Sequence, residues 1–105
     1  MGVTRITKEI HYFEFCEIID KYNGRIKISP HAYFRLLESQ RKVYKDEALR
    51  EVLSREKPAF IGIQQNGNYA VFFKRKEGYL KIIFKVETQY VEIITFYITS
   101  HIPNI

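Results

Sequence analysis

The feature that most restricts the fold of this 105-residue chain is a change of hydrophobic period near residue 59. Before it, apolar residues recur three and four apart. After it, they alternate with polar ones, as side chains do along a strand with one buried face. Pro58 stands at the boundary and stops any helix that reaches it. Residues 60–65 and 68–76 flank Asn66-Gly67, the strongest short hairpin signal. Glu77-Gly78 then turns into residues 79–87 and Thr88-Gln89 into residues 90–99, which predicts a four-stranded antiparallel meander. Two-residue loops set the register: Ile63 opposite Ala70, Arg75 opposite Leu80, and Leu80 opposite Tyr97. Val71, Phe73, Leu80, Ile82, Phe84, Val86, Val91 and Ile93 then form the core face, with Arg75, Thr95 and Tyr97 toward its end. The other face carries Lys74, Lys81, Lys85 and Glu92 between Phe72, Ile83, Ile94 and Phe96. That is more apolar surface than an inert monomer exposes.

The N-terminal half reads as helical. Tyr12, Phe15, Cys16, Ile19 and Tyr22 lie on one helix face, predicting a helix over residues 7–22 with Thr7 as its cap and Asn23-Gly24 as its stop. Residues 25–28 alternate and are short enough to add only an edge strand. Ser29-Pro30 opens a second helix, with Pro at the first helical position where its missing N–H costs nothing. A third runs near residues 45–55, with Asp46 and Glu47 at its positive end. The fold class is therefore α+β: helices packed on one face of a four- to five-stranded, mainly antiparallel sheet, in a single domain spanning residues 1–105.

Composition narrows the function. A formal charge of +5 favours nucleic-acid phosphates or an acidic partner. The lone Cys16 sits in an apolar stripe and reads as a buried structural thiol. No apolar run is long enough to cross a membrane, and the first nine residues lack a signal-peptide core, so a cytoplasmic location is expected. Neither a Walker loop nor a dinucleotide fingerprint is present, and His11, His31 and His101 have no metal-ligand spacing, so no cofactor and no metal are expected.

Three groups of residues invite a functional reading. His31 lies at a predicted helix start with Arg35 one turn later, an arrangement that suits an anion, although a solvated pair is the plainer account. Arg75, Thr95 and Tyr97 fall on neighbouring strands and either converge on a phosphate or leave the two hydroxyls satisfied at the sheet's edge with Arg75 snorkelling outward. Lys74, Lys81 and Lys85 beside Phe72 and Phe96 resemble a nucleic-acid platform, with charge for phosphates and rings for bases. A solvated sheet face or a homodimer interface would use the same residues.

A short strand ending in Ser29, Pro30-His31-Ala32 with Arg35 and Leu36, a basic break, a helix, and a meander ending in Thr95-Phe96-Tyr97 resemble the RelE-type toxin superfamily, in particular its BrnT-like and small phage- or plasmid-borne members. The likeness covers roughly residues 25–99. It implies a metal-independent endoribonuclease neutralised by a small antitoxin, with His31, Arg35, Thr95 and Tyr97 at the catalytic positions and Arg75 as a further basic residue. The chain departs from the pattern in its extra N-terminal helix, in Ser39 where a second arginine is expected, and in a third helix that follows Tyr44 rather than a capping Ser or Thr. The alternative is a non-catalytic module, viral or plasmid-borne, that binds nucleic acid or protein through the open sheet face.

Overall fold

A computed structural model describes residues 5–33 and 43–103. In chain order they form β1 (Ile6–Glu9), α1 (Tyr12–Lys21), β2 (Ile26–Ile28), a 3-10 turn (Pro30–Tyr33), α2 (Asp46–Arg55), β3 (Phe60–Gln64), β4 (Tyr69–Arg75), β5 (Gly78–Val86) and β6 (Val91–Thr99). The α+β class holds. The sheet has six strands in the order β1-β3-β4-β5-β6-β2 rather than the four or five expected. It is also mixed, because β2 runs parallel to β6 while every other pair is antiparallel. Most of the second predicted helix, including Leu36 and Leu37, lies outside the described residues.

The sixth strand comes from the segment expected to begin the first helix. Ile6 pairs opposite Gln64 and Glu9 opposite Gly62, so residues 6–9 cover what would be the free edge of β3. Thr7, expected as the helix cap, instead donates its hydroxyl to the Ile63 carbonyl at 3.3 Å. The cap is His11, whose Nδ1 accepts from the Phe13 N–H at 3.2 Å. Covering the edge satisfies backbone groups that a longer helix would leave open. It is possible because position 62 carries no side chain: a Cβ there would meet Ile6 Cγ2 at 2.5 Å. Of the apolar stripe, Phe15, Ile19 and Tyr22 are buried, Cys16 is half-buried rather than enclosed, and Tyr12 is exposed.

α1 and α2 bury that stripe and Leu49, Val52 and Leu53 against Val71, Phe73, Leu80, Ile82, Phe84 and Ile93 of the sheet. The register departs from expectation in three places, two at turns and one at a bulge. Asn66-Gly67 does not form a two-residue turn; Ile63 pairs with Tyr69, so residues 65–67 make the loop and only Gly67 takes a positive φ, of 89°. This one-residue shift keeps Ile61 facing the core and puts Phe60 opposite Phe72 on the outer side. Arg75 pairs with Gly78 rather than Leu80, a two-residue shift that leaves the faces unchanged.

The third shift matters most. Val86 opposes Val91 and Phe84 opposes Ile93, as the Thr88-Gln89 turn predicts, but Ile83 opposes Thr95, leaving Ile94 as an extra residue in a β-bulge. Beyond it the faces of β6 are reversed. Phe96 and Ile98 point inward, and Thr95 and Tyr97 point outward. Phe96 is completely buried, with the edges of Tyr33 and Tyr44 against it at ring-centroid distances of 5.3 and 6.0 Å. Burying a phenylalanine stabilises by about 1.5–3 kcal/mol, more than the about 0.5–1.5 kcal/mol of a typical hydrogen bond that a bulge leaves unmade.

Candidate nucleic-acid interface

The outer sheet face is built from alternate residues of β3 to β6. Strand pairing sets Phe60, Phe72, Lys81 and Tyr97 side by side in one row across those strands. The adjoining row holds Lys74, Tyr79 and Thr99, and the row on the other side holds Ala70, Ile83 and Thr95. Ile6, Ala70 and Phe72 are buried here, packed by Phe60, Tyr79 and Ile83. The face therefore carries a small apolar cluster of its own rather than an open hydrophobic floor.

Lys81 is the unusual member. Only 7% of it is exposed. Its Nζ lies 5.4 Å from the centroid of the Phe72 ring and 5.3 Å from that of Tyr97. The negative faces of two rings partly offset the loss of water around an ammonium, by about 0.5–2 kcal/mol each. Among the described residues no carboxylate pairs with it. Lys74 repeats the arrangement at the face's end, 5.0 Å from the Tyr79 ring, and is exposed. Lys85 differs, because Glu87 reaches its Nζ at 3.5 Å and offsets its charge.

Arg75 and Tyr97, expected on one face of the sheet, lie on opposite faces. Arg75 points to the helical side and is held by Glu56, its Nη1 and Nη2 donating to the two carboxylate oxygens at 2.9 and 3.0 Å. Partial burial disfavours its charge, but the bonds to Glu56 and Tyr44 prevail and raise its pKa. It straps the end of β4 to the end of α2. Thr95 and Tyr97 lie beyond the bulge on the outer face, opposite Ile83 and Lys81. His31 sits exposed in the 3-10 turn, on the helical side, its N–H donating to Ser29 Oγ at 3.3 Å. Arg35 lies outside the described residues. The expected flanking of Leu80 by Arg75 and Tyr97 is replaced by Phe73 and Ile98.

Of the expected platform, Lys74, Lys81 and Lys85 share the outer face, while Phe72 is buried beneath Lys81 and Phe96 is on the core side. The rings that remain half-exposed beside the lysines are Tyr79 and Tyr97. Tyr79 was readable from its alternation with Leu80; Tyr97 was hidden by the bulge. Among the described residues, no group of His, Cys, Asp and Glu could hold a metal ion, and no helix is long and apolar enough to cross a membrane.

Fold and face together define an α+β domain whose helices cover one side of a mixed sheet and whose other side presents lysines set on aromatic rings. No protein-family model, curated protein or solved structure matches the chain.

Proposed function

We propose that this protein binds single-stranded RNA through the outer sheet face and does not cleave it. The observation that carries this reading is Lys81, a lysine only 7% exposed whose Nζ lies over two ring faces and pairs with no carboxylate among the described residues. A buried cation is costly unless an anion completes it, and a phosphate arriving over Tyr97 would do so. Lys74 beside Tyr79 offers a second phosphate contact one row away, and the two tyrosines offer edges and faces for bases. The net positive charge favours the same partner.

Cleavage of the RelE type, with its antitoxin partner, is set aside in this reading. Arg75 is committed to Glu56 on the opposite side of the sheet from Thr95 and Tyr97, so these groups do not bracket one phosphate.

Fluorescence anisotropy with a labelled single-stranded RNA at several salt concentrations tests the proposal. Wild-type binding should weaken steeply with salt. Lys81→Met keeps the aliphatic stem and removes the charge, so it should lower affinity and reduce the salt slope by about 1. An unchanged slope in a folded Lys81→Met protein would remove the face from consideration. A concentration-dependent dimer in sedimentation that excludes RNA would instead make the face a self-association surface.

A further inference from the structure

A second cationic site lies at the β2 edge of the sheet, where Lys27 ends the row that runs through Glu92 to Lys85. Here Arg25, Lys27, Arg50 and Tyr90 line a cleft of about 430 Å³, together with Gly24 and Gln89. Arg25 and Lys27 are alternate residues of one extended segment and so share a side of it. Arg50 reaches the cleft from α2. No carboxylate is among its described lining residues.

The way these cations are held sets the cleft apart from the rest of the surface. Arg75 and Lys85 are each neutralised by a glutamate, at 2.9 and 3.5 Å. In the cleft the holding groups are mostly neutral. Arg25 donates from Nη1 to the Gln89 carbonyl at 3.1 Å and from Nη2 to the Lys21 carbonyl at 2.6 Å. Arg50 donates from Nε to the Ile26 carbonyl at 2.8 Å. Lys27 Nζ rests 4.2 Å from the centroid of the Tyr90 ring. One acidic contact reaches the group from the neighbouring groove, where Glu47 lies 3.6 Å from Arg50 Nη1. Carbonyls and a ring orient a cation without cancelling its charge. The remaining guanidinium N–H groups and the ammonium are thus fixed around a concave volume with a surplus of positive charge, the arrangement that recognises a multiply charged oxyanion.

We propose that this cleft binds a phosphate group carrying two or more negative charges, as in a phosphomonoester or a diphosphate. Arg25 and Arg50 would donate to its oxygens and Lys27 would neutralise the second charge. The chemistry is common to a free small phosphate and to the phosphorylated end of an RNA strand, and the inference does not rest on binding by the outer face.

Titration of ¹⁵N-labelled protein with inorganic pyrophosphate tests it. Amide shifts should concentrate at Gly24, Lys27 and Tyr90, and saturate. Lys27 is exposed, so Lys27→Gln should stay folded and weaken binding by about tenfold, the loss expected for one charged hydrogen bond. Lys57→Gln, at an exposed lysine over Tyr12 at the far end of α1, should leave the titration unchanged. Absence of saturable shifts, shifts spread over all basic residues, or equal affinity in Lys27→Gln would each overturn the proposal. With pyrophosphate binding established, a 5′-phosphorylated trinucleotide that outbinds its 5′-hydroxyl form in wild type but not in Lys27→Gln assigns the ligand to an RNA end. Equal binding of the two assigns it to a free phosphate.

Discussion

At the scale of single residues, position on one side or other of the sheet decides what a polar group does. Tyr33 sets its ring against Phe96, donates to Asp46 and closes the space between the 3-10 turn and α2, while Tyr97 forms half of the cradle around Lys81. The Tyr33 pKa is pushed well above the ordinary 10.0, first by burial and then by the bond to Asp46. The folded chain therefore keeps a proton that the unfolded chain releases once pH passes about 10. Stability from Tyr33 is fully present below that pH and is lost as pH rises from there toward the folded-state value. Tyr33→Phe should cost about 1 kcal/mol at neutral pH through the lost hydrogen bond, and its stability should fall less steeply than wild type above pH 10. Urea midpoints of the two proteins at roughly pH 8 and roughly pH 11 measure the difference. Parallel curves would mean that the phenol does not couple to folding. Tyr69, stacked on Phe84 at 5.2 Å and also raised by burial and then by Glu14, leaves a residual alkaline slope in both proteins.

At the scale of elements, β6 is where local pattern and tertiary packing part. Its first three residues follow the turn before them and pair with β2 on one side and β5 on the other. The extra residue Ile94 then lets Phe96 and Ile98 turn inward beneath the 3-10 turn and sends Tyr97 out to Lys81. Removing Ile94 would leave Thr95 opposite Ile83, Phe96 opposite Ile82 and Tyr97 opposite Lys81, now in a regular ladder. The deletion variant is expected to melt cooperatively by circular dichroism and to keep salt-dependent RNA binding, because each side chain keeps its face. A deletion protein that fails to fold would show that the bend of the bulge, rather than the alternation beyond it, is what the packing needs.

At the scale of the whole molecule, cations are distributed over the outer face, the β2 edge and the strap at Arg75, and Arg75 and Tyr97 lie on opposite faces of the sheet. Purified protein incubated with RNA in EDTA should leave it intact over hours on a gel. Degradation that is lost in His31→Ala would restore a nuclease centre around the helical side and overturn the binding-only reading. The sequence by itself determined the α+β class, the meander of β3 to β6, the helix at residues 46–55 and the lysine alternation of the outer face, because these rest on local periods and turn residues that act within a few positions. It did not determine that Ile6 to Glu9 would be a strand. Nor did it place Gly67 alone at positive φ, Arg75 against Glu56, or Tyr97 on the outer face. Each of those was decided by a partner more than fifteen residues away or by a one-residue count in a strand, and a single residue gained or lost in a ladder reverses every side chain beyond it. Only the packed molecule selects that count, by comparing what Phe96 gains in the core with what one unpaired backbone position costs.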